Sequence, residues 1–577
     1  MPLTGPSASN SNDRQAGAFA GPSVWQGSDG EPTRYPPLQE SLDCDVLIVG
    51  AGITGLTLAL ALLKRGKSVV VLEAWQVGSG TTGHSTGNLY ECTSQSLAVL
   101  AERWGDTVAR AVVSARRAAI SRVAQTVAEH AIACNFRRCS HYQFATDDNA
   151  RREIDAQEQV LTRAGSNALL HDKAEALPLK LMTAPVPGSV LELPDQAQFH
   201  PLAYVKGLAA EVTRRGGRLF EHSKVDKLDY PHRSALTLRG TVHAGQLVLA
   251  THTPKGFHPV QAEMLVQREY AVALPVTASA PGREAESSLP PGVFWARGDL
   301  SMSLRGLETA QGHYLICIGP EHSTGDHDTR HARAQLAHRL QGLLGRKPSE
   351  ARFAWAAQNY RPADGLPYVG QDLSGCWIAT GFATDGLVWG TVAAEVLAEQ
   401  LTGQHHALAE LLRPGRFTPI KGAKVLLQEN FTVARALVKD YLLKPAPPAP
   451  STPPTLSAPS TPSAPSVPPA DSSAEAQAAL PANAPLPSLP PGEAMIVKAG
   501  AQQVAAYRAL DGTLNTVSPV CPHMKCKVRW NSAEASWDCP CHGSRFQPDG
   551  EVIEGPAIEG LAKVEISVQA EAAVPKG

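Results

Sequence analysis

The sequence predicts an α/β domain of the Rossmann type in the first part of the chain and a small all-β domain at its C-terminus. Residues 45–49 and 68–72 read as apolar strands separated by a glycine-rich turn and an apolar helix, and this order is typical of a βαβ unit. Residues 445–491 are dominated by Pro, Ala and Ser without apolar periodicity, which predicts a semi-extended tether. From Glu493 onward, short strand-like runs alternate with Asp-Gly turns, which favours a small antiparallel β domain.

The composition narrows the class of protein. A chain of 577 residues, of which 43% are hydrophobic, can build several full cores. A net charge of −2 gives no electrostatic footprint for nucleic acid or an anionic membrane, and no apolar run is long enough to span a bilayer. Residues 1–40 are polar and rich in Gly and Pro. They predict an N-terminal arm that lies on the first domain or is disordered, and not a secretory signal.

The βαβ unit carries the sequence Gly50-Ala-Gly52-Ile-Thr-Gly55 at its turn. Gly50 permits the tight turn, Gly52 lets the backbone approach a pyrophosphate, and Gly55 lets helix and strand pack closely. Glu73 ends the second strand, where a carboxylate accepts a hydrogen bond from a ribose hydroxyl and repels a 2′-phosphate. The unit therefore predicts a dinucleotide site that disfavours NADP. The motif alone does not distinguish an FAD site from an NAD site. A strand–helix turn that binds no ligand also remains open.

A second motif lies near the C-terminus, where Cys521-Pro-His523 is followed by Cys539-Pro-Cys541-His542. Two Cys and two His in this frame are the ligand set of a Rieske 2Fe–2S centre, in which two thiolates hold one iron and two imidazoles hold the other. A structural zinc site is the alternative, but zinc fingers usually pair C-x₂₋₄-C with H-x₃₋₅-H. The spacing therefore favours the iron–sulfur cluster, with Cys521, His523, Cys539 and His542 as metal ligands.

The residues around these ligands resemble the two cluster loops of the Rieske family, and Gly555-Pro556-Ala557 resembles its proline loop. In the high-potential members the Cys at the places of Cys526 and Cys541 form a disulfide, and the Ser at the place of Ser544 donates to a bridging sulfide. Those members carry a Tyr where this chain has Phe546, which cannot donate a hydrogen bond. Since hydrogen bonds to sulfur raise the potential, the resemblance implies a potential below that of the cytochrome bc type.

The chain has ten Cys, of which two are predicted ligands and two the implied disulfide pair. The others are scattered without paired spacing, as expected of buried or free thiols: Cys44, Cys92, Cys134, Cys139, Cys317 and Cys376. This pattern favours a cytoplasmic location, where a persistent disulfide would be unusual.

Three further segments, residues 78–88, 361–370 and 381–386, resemble the D-amino-acid-oxidase-like (DAO) family of FAD oxidoreductases, which includes glycine and sarcosine oxidases. The resemblance covers about residues 40–415. More narrowly, the chain resembles the branch of this family whose members carry a C-terminal Rieske domain. It implies FAD as the cofactor, with contacts beyond the βαβ unit at Thr81, Thr82, His84, Val225, Gly381, Phe382 and Gly386. No Cys occurs in residues 352–365, where some members link their flavin. A covalent link to His84 or an ordinary hydrogen bond from it both remain open.

The same resemblance implies an FAD-binding domain in three pieces and an α+β substrate domain, an antiparallel sheet with helices, in two. The expected boundaries are as follows: N-terminal arm 1–40; FAD-binding domain 41–90, 200–255 and 360–415; substrate domain 91–199 and 256–359; terminal helix 416–444; linker 445–491; Rieske domain 492–577.

DAO-type enzymes take a hydride from a C–H bond next to an amine nitrogen. We expect Arg268 or Arg305 to hold a substrate carboxylate, with ordinary salt bridges as the alternative. His322 is a candidate catalytic residue, with a structural His as the alternative.

The leading hypothesis is a dehydrogenase in which an amine or amino acid reduces FAD and the cluster passes electrons singly to a partner protein. Reverse flow from a ferredoxin-like donor is the second, and a flavin oxidase with a Rieske redox sensor or docking module is the third. A Rieske oxygenase does not fit, because only about thirty-five residues follow His542 and those enzymes place a mononuclear iron domain there.

Overall fold

The structure is a computed structural model that describes residues 20–28, 34–276, 289–325, 329–416, 489–499 and 502–565. All but the first residue of the expected terminal helix (416–444) and nearly all of the expected linker (445–491) lie outside the described residues. None of the helices within these ranges combines the length and the apolarity that crossing a membrane requires.

The helices in chain order are α1 Val24–Ser28, α2 Ile53–Leu63, α3 Leu97–Trp104, α4 Asp106–Glu129, α5 Asp148–Arg163, α6 Pro201–Arg214, α7 Thr329–Leu344, α8 Gly386–Leu401 and α9 Ala409–Leu412. The strands of the first two sheets are β1 Leu42–Val49, β2 Val69–Leu72, β3 Asn88–Leu89, β4 Arg137–Ala145, β5 Leu169–His171, β6 Val190–Gln198, β7 Arg218–Phe220, β8 Val225–Asp229, β9 Ser234–Thr237, β10 Gly240–Leu249, β11 Met264–Val276, β12 Val293–Arg297, β13 Met302–Thr309, β14 Gly312–Ser323, β15 Phe353–Pro362, β16 Tyr368–Gln371 and β17 Trp377–Thr380. The strands of the C-terminal domain are β18 Ala494–Ala499, β19 Gln502–Arg508, β20 Leu514–Val517, β21 Arg529–Asn531, β22 Ser536–Asp538, β23 Arg545–Phe546 and β24 Val552–Glu554.

The first sheet confirms the predicted Rossmann-type domain. Its strand order is β16-β17-β10-β1-β2-β7, with the β8–β9 hairpin attached to β10. The central strands β10, β1, β2 and β7 run parallel, and the last four residues of β1 and all of β2 are buried, as expected of strands covered on both faces. Helix α2 packs between this sheet and helices α6 and α8.

The second sheet has nine strands in the order β15-β11-β14-β13-β12-β4-β6-β3, with β5 beside β6. All of its pairs are antiparallel except β12 with β4, in agreement with the expected antiparallel sheet. The glycine- and threonine-rich segment between β2 and β3 contains one 3₁₀ turn, Thr81–His84.

Part of the N-terminal arm is folded onto these domains. Helix α1 buries Val24 and Trp25 completely, the Trp25 indole Nε1 donates to the Ser85 carbonyl at 2.7 Å, and the Ser23 hydroxyl donates to the Gly83 carbonyl. The described part of the arm therefore covers the loop that contains the 3₁₀ turn.

The C-terminal domain consists of a three-stranded sheet, β18-β19-β20, and a four-stranded sheet, β21-β22-β23-β24. Both sheets are antiparallel. Their common core contains Val528, Trp537 and Phe546 together with Cys521 and Cys539. The two predicted thiolate ligands, Cys521 and Cys539, therefore belong to the apolar core of this domain.

Candidate functional site

The glycine-rich turn after β1 leaves one open approach to its backbone. Gly50 has φ +106°, and a Cβ there would lie 2.5 Å from the Ala250 carbonyl oxygen; a Cβ on Gly55 would lie 2.0 Å from the Gly50 carbonyl oxygen. Both glycines are therefore required by packing. A Cβ on Gly52 would meet only the Thr82 hydroxyl, at 3.1 Å, so the space in front of Gly52 and of the α2 N-terminus is free for an anion.

Glu73 closes the other side of this turn. Its carboxylate accepts hydrogen bonds from the Ala51 N–H at 2.9 Å and the Trp75 N–H at 3.0 Å. Burial raises the pKa of the carboxyl above its ordinary value, and the backbone N–H groups oppose that shift. These bonds hold the carboxyl at the edge of the cavity, where it can accept from a ribose hydroxyl.

A cavity of about 1070 Å³ extends from this turn along both large sheets. Most of the predicted FAD contacts line it: Gly50, Gly52, Glu73, Thr81, Thr82, His84, Val225, Phe382 and Gly386. Gly55 and Gly381 do not line the cavity; at both positions a Cβ would come too close to neighbouring atoms, so packing requires a glycine there. The amide groups of Asn88 and Asn359 also line it, and neither has a hydrogen-bond partner among the described residues. Such buried orphan groups are normally satisfied by a ligand or water. The volume, the free helix terminus and these amides together fit a bound dinucleotide.

The residues beside the 3₁₀ turn are held by hydrogen bonds. His84 Nδ1 lies 2.9 Å from the Gly80 carbonyl oxygen, and His252 Nδ1 lies 3.0 Å from the Thr81 hydroxyl. Burial lowers the pKa of His252 to about 4, so its ring is neutral at pH 7. These contacts fix the loop that the family resemblance places beside the flavin.

The structure does not support the predicted substrate anchors. The Arg305 guanidinium does not line the cavity. It donates to the carbonyls of Thr86, Gly87 and Phe199 and lies over the Trp25 ring. Arg268 borders the cavity but is engaged by carboxylates of the C-terminal domain, as described below. The charge of each side chain is thus used within the protein.

His322, the predicted catalytic His, does not line the cavity either. It lies on β14 opposite Arg268, and its ring packs 4.8 Å from the ring of Tyr270. Its position is that of a structural residue.

Five charged residues missed by sequence reasoning line the substrate-domain wall of the cavity: Glu269, Arg297, Glu321, Arg339 and Arg361. Glu321 forms an ion pair with Arg361. Burial, followed by the charge of Glu321, raises the pKa of Glu269 to about 8. The Arg297 guanidinium lies 4.5 Å from the ring centroid of Trp295. The signal that could have revealed Glu269 is a carboxylate directly before the apolar run Tyr270–Val276 of the same strand.

The four predicted cluster ligands meet at one end of the C-terminal domain. The Cys521 and Cys539 sulfurs share a hydrogen bond, which is the main cause of the lowering of the Cys521 pKa to about 7. The His523 and His542 rings lie 5.1 Å apart. His542 Nδ1 is buried without a hydrogen-bond partner among the described residues, and burial lowers the pKa of this ring to about 4. Two adjacent sulfurs and two neutral imidazoles, one with an orphan nitrogen, fit a 2Fe–2S cluster.

Cys526 and Cys541 are joined by a disulfide with a Cα–Cα distance of 6.5 Å. The Cys539 sulfur lies within 4.8 Å of both of these sulfurs, so three thiol-bearing residues cluster here. Because the disulfide consumes two of them, this trio is not itself a zinc site. Ser544 bonds to the Cys521 sulfur, and its hydroxyl accepts from the Ala557 N–H at 3.1 Å.

The cluster loops face the other two domains. The Gln358 side-chain amide donates to the Gly543 carbonyl at 2.9 Å and to the Tyr360 hydroxyl at 2.8 Å. On the other loop, His523 Nε2 lies 3.1 Å from the Gln261 amide oxygen. Gly543, the neighbour of ligand His542, is therefore bonded to the part of the chain that surrounds the cavity. Ligand His523 is bonded to it directly.

A buried ionic network joins the domains beside these loops. Arg268 pairs with Glu534 and, at 2.8 Å, with Glu554. Arg545 pairs with the same two carboxylates at 2.7 and 2.8 Å and with Asp538 at 2.9 Å. The two arginine side chains are 2% and 5% exposed, so the network excludes most solvent. Removing one partner of such a network typically costs about 3–5 kcal/mol.

Comparisons with known proteins point in the same direction. The model of the FAD-dependent oxidoreductase family (DAO) matches residues 45–400, and that of the Rieske [2Fe-2S] domain matches residues 482–565. A protein of Bacillus subtilis strain 168 named as a Rieske 2Fe-2S iron-sulfur protein, YhfW, is 28% identical over 94% of this chain and 97% of its own length. Gamma-glutamylputrescine oxidoreductase of Escherichia coli K12 is 28% identical over 40% of this chain and 53% of its own length. Glycine oxidase from Geobacillus kaustophilus has a similar fold, with a TM-score of 0.52 and 19% identity over 65% of this chain and all of that chain.

Proposed function

Because the chain belongs to the FAD-dependent oxidoreductase family (DAO) and carries a C-terminal Rieske [2Fe-2S] domain, we propose that it is an amine or amino-acid dehydrogenase that delivers electrons from FAD to its own cluster. The flavin, when bound, takes two electrons as a hydride from the carbon next to the amine nitrogen, and the cluster carries one electron at a time. The electrons then leave to a partner protein. The scattered unpaired thiols favour the cytosol as its compartment.

The observation that carries this proposal is the position of the cluster loops. Gln358 borders the cavity and donates to Gly543, the residue next to ligand His542. A cluster held this close to the cavity wall supports the proposal that it receives electrons from a cofactor in that cavity. A domain that served only as a distant docking module would need no such contact.

The charged wall of the cavity supports a zwitterionic or amine substrate. Arg297 lines this wall without an ion pair to a carboxylate among the described residues, and its guanidinium can bind a substrate carboxylate. Glu269, with its pKa of about 8, can accept a proton from a substrate ammonium at mildly alkaline pH, where its carboxylate form is populated. An amine binds in the reactive unprotonated form once that proton is removed.

The test is an anaerobic titration of the purified protein with a panel of amines and amino acids. Flavin bleaching is followed by absorbance and the reduced cluster by electron paramagnetic resonance. We expect one substrate class to bleach the flavin first and the Rieske signal to grow afterwards. The matched control is Cys539→Ala, which should bleach normally without any Rieske signal.

Two outcomes contradict the proposal. If no amine or amino acid bleaches the flavin but a reduced ferredoxin fills the cluster and then the flavin, electrons run in the reverse direction. If a substrate bleaches the flavin while the cluster stays oxidised, the protein is an oxidase and the Rieske domain is a sensor.

A further inference from the structure

One segment of the Rieske domain borders both cofactor sites. It comprises β24 and the residues after it, from Val552 to Ile558. Its cavity-lining residues are Val552, Ile553, Glu554, Gly555, Ala557 and Ile558. The cavity that contains the dinucleotide motif is thus enclosed in part by a domain that begins some 400 residues later in the chain.

The opposite face of this segment lies on a cluster loop. The Ala557 N–H donates to the Ser544 hydroxyl at 3.1 Å. A Cβ on Gly555, which has φ +99°, would lie 2.5 Å from both the Gly543 carbonyl oxygen and the Ser544 Cα. This packing leaves no room for a side chain or a water between the segment and the loop that carries His542.

The FAD-binding domain holds the same segment by its backbone. Lys255 Nζ donates to the Gly555 carbonyl at 2.5 Å, and the Gly256 N–H donates to the Pro556 carbonyl at 2.9 Å. Lys255 also lines the cavity. Lys255, in the loop after β10, therefore borders the cavity and is bonded directly to the segment that packs on the cluster loop.

We propose that the segment Val552–Ile558 is a common wall of the FAD site and the cluster site, so that the Rieske domain is a fixed part of the FAD site and not a carrier that swings on its tether. A ligand that contacts only the docked arrangement stabilises it, and docking strengthens binding of that ligand by the same factor. FAD binding and Rieske docking are therefore mutually dependent. This inference requires FAD in the cavity but does not depend on the substrate or on the direction of electron flow.

Gly325 allows a test that leaves the cavity untouched, because it does not line the cavity. It has φ +73°, and a Cβ there would lie 3.0 Å from three atoms of Pro540 in the Rieske domain. Asn is the residue that best tolerates this backbone conformation, so Gly325→Asn acts as a wedge between the domains. The matched control is Gly403→Asn, because Gly403 has φ +77° with nothing within 4 Å of its Cβ position.

The experiment measures FAD affinity of the full-length protein by fluorescence titration of the FAD-free, cluster-loaded chain. Small-angle scattering reports docking, and the Rieske resonance signal reports cluster content. We expect Gly325→Asn to weaken FAD binding about tenfold, the equivalent of one lost charge-assisted contact, to expand the molecule, and to keep its cluster. Gly403→Asn should match the wild type in all three measurements.

Undocking with unchanged FAD affinity would overturn the proposal. If the wedge leaves the molecule compact, Ile558→Asp decides the question, since Ile558 lines the cavity from the Rieske side. A charge at that position should weaken FAD binding by at least the same factor with the cluster intact. An FAD affinity equal to that of the wild type in Ile558→Asp contradicts a common wall.

Discussion

Phe546 lies fully buried in the core that also contains Cys521 and Cys539. The resemblance to high-potential Rieske proteins places a hydroxyl donor at this position, where this chain has none. We expect Phe546→Tyr to raise the cluster potential by about 30–60 mV, because a hydrogen bond of about 0.7–1.4 kcal/mol stabilises the reduced, more negative cluster. The measurement is a redox titration followed by the Rieske resonance signal.

Phe546→Leu is the control for altered packing, since it changes the shape of the side chain without adding a donor. It should leave the potential within about 10 mV of the wild type. A potential that stays unchanged in Phe546→Tyr would show that the hydroxyl does not reach a ligand sulfur.

Glu269 makes the stability of the folded protein depend on pH. Its carboxyl has a pKa of about 8, against about 4.3 in an unfolded chain. Between these values the folded state binds the proton more tightly, so the free energy of unfolding falls as the pH rises. We expect Glu269→Gln to match the wild type near pH 4 and to be more stable by about 1–3 kcal/mol near pH 9.

Urea unfolding of the FAD-loaded protein at both pH values measures this difference. The control is Glu308→Gln, because Glu308 is 74% exposed on the side chain and should show no pH-dependent gain. A stability change in Glu269→Gln of equal size at both pH values would mean that the carboxyl titrates normally.

At the scale of the element, the turn from β1 to α2 contains two kinds of glycine. Gly55 is required by packing, whereas Gly52 leaves space for a ligand. Gly55→Ala should destabilise the FAD-free chain by about 2–4 kcal/mol, because its Cβ would overlap the Gly50 carbonyl. Gly52→Ala should leave stability within about 1 kcal/mol, since only the Thr82 hydroxyl must shift, but weaken FAD binding at least about tenfold.

Urea unfolding of the FAD-free protein and titration with FAD distinguish the two effects. Equal losses of stability in Gly52→Ala and Gly55→Ala would mean that both positions serve packing alone. Normal FAD affinity in Gly52→Ala would place the pyrophosphate away from this turn.

Strand alternation explains how β15 serves two sites at once. Gln358 and Tyr360 point to the Rieske domain, where both contact Gly543. Asn359 and Arg361, between and after them, line the cavity. Successive side chains of a strand face opposite sides of the sheet. Gln358 borders the cavity as well, so it lies where the cluster contacts of β15 meet the candidate substrate contacts of Asn359 and Arg361.

At the scale of the whole molecule, the buried network around Arg268 and Arg545 predicts docking that resists salt. Charges removed from solvent are screened little, whereas surface charges lose most of their attraction between about 0.05 and 0.5 M ionic strength. We expect the rate of cluster reduction by substrate-reduced flavin to change less than about twofold over this range. Rapid mixing with detection of both cofactors measures it.

The comparison protein is Arg268→Gln, which leaves Glu534 and Glu554 with one cationic partner fewer. Its cluster reduction should be slower and should depend on salt, while flavin bleaching by substrate continues. A severalfold fall in the wild-type rate with rising salt would indicate a domain captured by surface charges instead of a fixed one.

The family, the two cofactors and the fold class could all be predicted from the amino-acid sequence, because each depends on local patterns. Glycine spacing, strand–helix–strand order and the Cys and His spacing around 521–542 specify backbone geometry and ligand chemistry over short stretches of chain. The helix α2 and the strands beside it follow from apolar runs in the same way.

The charges that face the cavity and the position of the Rieske domain could not be predicted from the sequence, because both depend on the tertiary structure. Arg268 donates to Glu534, and Arg305 donates to the Gly87 carbonyl; each pair is separated by more than 200 residues in the sequence. Such pairs depend on strand register and domain docking. A Pro-, Ala- and Ser-rich tether fixes connectivity but no orientation. The burial that raises the pKa of Glu269 exists only after the three domains have packed together. The same packing places the segment Val552–Ile558 between the cavity and the cluster loop.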